Sequence, residues 1–153
     1  MIEFLNRMTE KFSDENKDYT RFLVISGPRS GSSYLSSLLR SHPDIISYSE
    51  LFHPRRVVLG PDHKQVDPDT LLTYRINHPV EFINTIYDTA YSKNIAAVGF
   101  KLLYRQAGNP KEKPAWDWLI GHNDIRVIHL TRDDLLAQYL SIRQARVRGQ
   151  YTT

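Results

Sequence analysis

The chain has no cysteine. That excludes disulfides, Cys-based zinc or iron–sulfur sites and a thiol nucleophile. Nothing ties folding to an oxidising compartment, which points to a cytoplasmic protein. Long hydrophobic runs are also missing: none approaches the roughly 18–20 residues of a membrane span. Met1 to Arg7 lacks the basic stretch and apolar core of a secretory signal, and no Asn-x-Ser/Thr acceptor occurs. Charge of one sign is scarce. Twenty basic against 17 acidic residues leave a net charge of +3. This is too little for a non-specific coat on nucleic acid, so no nucleic-acid partner is expected, but it suits a local anion site. The six His show no H-E-x-x-H or similar spacing, so no metal is expected.

What remains is ordinary for a soluble globular domain: 153 residues, 41% hydrophobic and 24% charged. A chain of this length can bury about two-thirds of its unfolded surface, so a real core is feasible. Residues 1–20 are polar with thin helical periodicity and read as an N-terminal arm or helix, leaving one domain over 21–153. Phe22-Leu23-Val24-Ile25-Ser26 is a buried-strand run halted by Gly27-Pro28. Ser32 to Arg40 has helical spacing and closes at His42-Pro43. Ile45 to Tyr48, Ala96 to Tyr104 and Ile125 to Leu130 are further strands. Helices are expected over 80–92, over 116–120, and over 134–148 with Leu135, Leu136, Tyr139 and Ile142 on one side. Residues 53–79, with Pro54, Pro61, Pro68 and Pro79, are expected to form a long irregular excursion. Alternating strands and helices predict an α/β fold with a central parallel sheet. Ligand-binding residues should then follow residues 26, 48, 102 and 130, beyond the carboxyl ends of the strands.

Ser26-Gly27-Pro28-Arg29-Ser30-Gly31-Ser32-Ser33 joins the first strand to the first helix. Small residues let backbone N–H groups approach a ligand, and the helix start adds unpaired donors and a positive dipole end. Arg29 adds a fork-shaped cation suited to phosphate or sulfate oxygens. The loop is not a Walker A motif. Three residues, not four, separate Gly27 from Gly31, and Ser32 stands where the lysine belongs. On spacing alone, an anion cradle and a plain strand–turn–helix with a Ser cap both remain open.

Pro28-Arg29-Ser30-Gly31-Ser32-Ser33-Tyr34-Leu35 resembles the 5′-phosphosulfate loop of sulfotransferases that use 3′-phosphoadenylyl sulfate. Arg at position 29, where cytosolic members usually carry Lys, is similar to tyrosylprotein sulfotransferases and to bacterial carbohydrate and nodulation-factor sulfotransferases. Ser41-His42-Pro43-Asp44 followed by Glu50 resembles the segment that carries the family's catalytic Glu. Ile128 to Ser141 resembles the bacterial 3′-phosphate segment, in which a strand-end Arg and a helix Ser bind that phosphate. Here these are Arg132 and Ser141, nine residues apart as in the bacterial carbohydrate branch. Gly99-Phe100-Lys101-Leu102-Leu103 is similar to a less specific strand of the same branch. The resemblance spans residues 22–148. Family members usually continue for about another hundred residues, which carry a further loop for the 3′-phosphate and adenine, so the domain is expected to be incomplete at its C-terminus.

The resemblance implies a three-layer α/β sandwich with a P-loop-like sulfotransferase core. It implies transfer of a sulfuryl group from 3′-phosphoadenylyl sulfate to a hydroxyl, on a carbohydrate, a glycolipid or another small molecule, releasing adenosine 3′,5′-bisphosphate. Pro28, Arg29, Ser30, Gly31, Ser32 and Ser33 would hold the 5′ end of the nucleotide, and Arg132 and Ser141 its 3′-phosphate. Arg29 would also stabilise charge on the leaving group, and Glu50 would be the general base. An ordinary Glu near pKa 4.3 is a weak base, so burial would have to favour the role. His53 is the substitute, and a surface ion pair with Arg55 or Arg56 is the bland reading of Glu50. Lys101, inside an apolar strand, needs a partner. A structural ion pair and a phosphosulfate contact both fit it. Asp133 and Asp134 are expected to cap a helix, and Arg143, Arg146 and Arg148 to lie on a solvated face. Two other readings stay open: an atypical P-loop kinase or nucleotide-binding protein, and a truncated non-catalytic nucleotide-binding domain.

Overall fold

The computed structural model describes residues 15–60 and 67–149. Four parallel strands form the central sheet: β2 (Thr20–Ser26), β3 (Ile45–Glu50), β5 (Ala97–Leu103) and β6 (Arg126–Leu130), in the order β3-β5-β2-β6. A separate ribbon pairs β1 (Glu15–Asn16) antiparallel to β4 (Tyr91–Ser92). Helices α1 (Ser32–Ser41), α2 (Pro68–Asn77), α3 (Pro79–Tyr87), α4 (Lys113–Gly121) and α5 (Leu135–Arg148) flank the sheet. The architecture is mixed α/β. Among the described residues no helix is long and apolar enough to cross a membrane.

The four expected strands form where the apolar runs lie. Phe22, Leu23 and Val24 are buried, as are Val98, Phe100 and Leu102, because the two central strands are covered on both faces, whereas the edge strand β6 is exposed from Arg126 to His129. Gly99 sits beside Phe22 in the ladder, and a Cβ there would lie 2.2 Å from the Phe22 carbonyl oxygen. Glycine is what lets these two strands meet. On one side of the sheet, Phe52, Phe82, Tyr87 and Phe100 stack into an aromatic core at centroid separations of 5.7–6.0 Å. Four buried tyrosines bolt α3 to the sheet. Tyr19 Oη donates to the Tyr87 carbonyl at 2.7 Å, Tyr87 Oη to the Phe22 carbonyl at 2.6 Å and Tyr91 Oη to the Ile86 carbonyl at 2.9 Å. Tyr48 and Tyr91 share a hydroxyl contact at 3.2 Å.

Two expectations are corrected. The excursion over 53–79 is not irregular throughout, because α2 occupies Pro68–Asn77. Pro68 takes the first helical position, where its missing N–H costs nothing, and Asp67 caps the helix by accepting from the Thr70 amide at 2.8 Å. The helix expected over 80–92 ends at Tyr87, which frees Tyr91 to join the ribbon. On α5, Leu135, Leu136 and Tyr139 of the apolar side are exposed, while Ala145 is buried. Residues 1–14, most of the expected N-terminal arm or helix, lie outside the described residues.

Candidate functional site

The loop between β2 and α1 places Arg29 at φ 60° and Gly31 at φ 91°, two left-handed residues in three. Glycine takes that conformation freely, whereas Arg29 holds it at a cost of order 1–3 kcal/mol. The turn is closed by Ser30 Oγ donating to the Gly27 carbonyl at 2.9 Å. Gly31 is the N-cap of α1, so no side chain caps its first amides. The positive end of the helix dipole therefore faces the loop with its donors unclaimed by a cap. Ser32 is buried and Ser33 exposed at this end.

Residues from the far end of the chain meet this loop. Arg29 Nε donates to Ser141 Oγ at 2.7 Å. Arg132 Nη1 donates to the Arg29 carbonyl at 3.2 Å, and Gln138 Nε2 donates to the Pro28 carbonyl at 2.8 Å. Asp134 caps α5 by accepting from the Ala137 amide at 2.8 Å, which fixes where the helix begins and hence where Gln138 and Ser141 fall. Two guanidiniums, a serine hydroxyl and an uncapped helix start thus share one corner beyond the carboxyl ends of β2 and β6. Such a donor set is complementary to an anion bearing several oxygens.

Glu50 ends β3 on the other side of the loop. Its Oε1 pairs with Lys101 Nζ at 3.0 Å, and its Oε2 accepts from Gln106 Nε2 at 2.7 Å. The partner is Lys101, not Arg55 or Arg56. Lys101 is 3% exposed and also donates to Ser33 Oγ at 3.1 Å. One ammonium therefore ties the carboxylate to the first turn of α1. Of the alternatives open for Lys101 in the sequence, the structural ion pair forms, and a contact to the loop serine accompanies it. His53 lies three residues beyond Glu50. Burial holds its imidazole below the usual 6.5, against the pull of Glu50 and with help from Arg56, Arg75 and Arg55. Its Nδ1 accepts from the Arg55 amide at 3.3 Å.

Sequence reasoning missed three members of this neighbourhood. Gln106 follows a tight turn at the end of β5, where Ala107 adopts φ 52°. Gln138 sits on α5 three residues before Ser141, a spacing that puts both on one side of the helix. Arg75 is a fully buried cation under the segment that follows Glu50. A charge in a polar-looking helix gave no signal of burial.

Comparison with curated proteins finds a relative. Over 134 residues the chain is 31% identical to Nodulation protein H of Rhizobium tropici, covering 85% of this chain and 48% of that protein. The chain thus spans about half the length of the curated relative it matches. No family model matches the chain, and no solved structure does.

Proposed function

We propose that the chain is the nucleotide-binding part of a sulfotransferase of the bacterial carbohydrate and nodulation type, with a phosphosulfate-loop core, acting on a hydroxyl of a carbohydrate or glycolipid. The convergence of Arg29 with Arg132 and Ser141, which lie more than a hundred positions further along the chain, carries this reading. The similarity to Nodulation protein H supports it. The donor set fits a nucleotide with phosphate at both ends. Arg29 and the first amides of α1 suit the 5′ group, and Arg132 with Ser141 suits a 3′-phosphate. 3′-Phosphoadenylyl sulfate would supply the sulfuryl group and leave as adenosine 3′,5′-bisphosphate.

The chain's own residues then have distinct tasks. Arg29 and the amides of residues 30–33 neutralise charge that builds on the leaving oxygen. Arg132 and Ser141 hold the distal phosphate and so fix the line of transfer. Glu50, at the end of β3, takes the proton of the attacking hydroxyl. Lys101 and Gln106 hold that carboxylate in one orientation at the rim of the loop.

Calorimetric titration with adenosine 3′,5′-bisphosphate tests the reading. Saturable binding is expected, weakened by about tenfold or more in Arg132→Ala, the loss of one charge-assisted contact. Equal binding by both proteins would remove the 3′-phosphate assignment. Stronger, magnesium-dependent binding of ATP would favour a kinase-like site instead.

A further inference from the structure

We propose that Arg75 is a positioning residue, its buried guanidinium setting the turn after Glu50 and thereby placing Glu50 and His53 at the rim of the site. The proposal rests on the reading of Glu50 given above. Arg75 is fully buried in α2, where a lone charge would be prohibitive. Its Nη2 pairs with Glu112 Oε1 at 2.7 Å. Glu112 is held in turn by Asn109, whose side-chain amide donates to Oε2 and whose side-chain oxygen accepts from the Glu112 amide at 3.0 Å. If charge balance were the only requirement, an apolar pair of similar volume would serve as well or better.

The other arm of the fork shows a second task. Nη1 donates to the carbonyls of Leu51 at 2.7 Å, His53 at 2.9 Å and Arg56 at 3.3 Å. All three acceptors belong to one six-residue turn. The guanidinium carbon lies 5.4 Å from the centre of the Phe52 ring, so the same turn also grips it from the side. The turn closes on Glu50: the amides of His53 and Val58 donate to the Glu50 carbonyl at 3.3 and 3.1 Å. Moving these carbonyls would move the backbone that carries the carboxylate. A lysine, a compact charge without a planar fork, would not reproduce this pattern.

Two variants of the full chain test the assignment: Arg75→Lys, and the double change Arg75→Met with Glu112→Leu, which removes both charges together. The first readout is amide hydrogen exchange at His53, Arg56 and Val58. The second is sulfate transfer from labelled donor, with kcat and KM separated. We expect exchange at the three amides to quicken by about tenfold or more while cooperative melting is kept. We expect kcat to fall by about 10–100-fold with the KM for the nucleotide donor unchanged, as misplacement of a reacting group predicts. Unchanged exchange in both variants would overturn the proposal, and so would faster exchange with unchanged kcat. Should the double variant not fold, Arg75→Lys gives the same comparison. Absence of transfer by the wild-type chain would instead retire the functional reading, and the exchange comparison would still decide whether Arg75 fixes the turn.

Discussion

Arg29 and Ser141 stand 112 positions apart in the chain and meet through a 2.7 Å hydrogen bond from Nε to Oγ. The bond couples the loop to α5. Arg29→Ala is expected to lower transfer by about 10²–10³-fold, the usual effect of losing one preorganised donor to a developing oxyanion. Ser141→Ala is expected to weaken adenosine 3′,5′-bisphosphate more than a nucleotide with a 5′-phosphate alone. A double-mutant cycle over the pair, read by calorimetry, should show non-additivity, since the residues share a contact.

Glu50 and Lys101 separate chemistry from stability. Glu50→Gln keeps a polar group beside Gln106 but removes the proposed proton acceptor. Transfer should drop by about 10²–10⁴-fold, with nucleotide affinity retained. Lys101→Met removes the cation from a carboxylate whose side chain is only 20% exposed. That should cost about 2 kcal/mol, the scale of a hydrogen bond to a charged group, and lower the melting temperature by several degrees. Calorimetric melting of the two variants checks the division.

Acid stability should carry a signature of His53. Its folded imidazole is held below the usual 6.5 by burial. The unfolded chain then binds the proton first, so the contribution is present above about pH 6.5 and lost as pH falls through the folded value. Urea unfolding at pH 7.5 and 5.5 should show a smaller loss on acidification for His53→Gln than for the wild type.

The alkaline side belongs to the tyrosines. Burial pushes the Tyr19 phenol up to about 12, and it raises Tyr48, Tyr87 and Tyr91 as well. Phenols of the unfolded chain ionise near 10, so this stabilisation is present below that pH and lost as pH rises through the folded values. Phenolate absorbance should show these four tyrosines ionising together with unfolding, after the exposed ones.

Gly99→Ala tests the closest approach in the sheet. The added methyl would fall 2.2 Å from backbone and 2.5 Å from the Phe22 ring. Neither yields without moving a strand, so a loss of at least about 1–3 kcal/mol is expected in denaturant unfolding.

The central strands β2 and β5 were legible because a parallel strand covered on both faces is a continuous apolar run, and Gly27-Pro28 and His42-Pro43 mark the end of β2 and the approach to β3. Helix α2 was hidden by its surroundings: four prolines in 53–79 suggested breakage, although Asp67-Pro68 is a helix start. Arg75 was hidden by its chemistry, since a charge on a helix normally faces water. Lys101 was more legible, because an apolar strand on either side demanded a partner for it. The meeting of Arg29, Arg132 and Ser141 could be anticipated only through the family pattern, because chain separation carries no distance. The exposure of Leu135, Leu136 and Tyr139 on α5 ran against their hydrophobicity. Apolar spacing tells which residues share a helix side, not whether anything covers it.

The strand order has a consequence for synthesis on the ribosome. β2 is the earliest member of the sheet to emerge, yet both of its neighbours come late: Thr20 pairs with Ala97, and Phe22 with Arg126. Until those partners are translated, a sticky apolar segment waits with both hydrogen-bonding edges bare. Closing such distant pairings is entropically slow. The nascent polypeptide is therefore most vulnerable to aggregation in the interval before β6 leaves the exit tunnel, when a holdase chaperone would help it most.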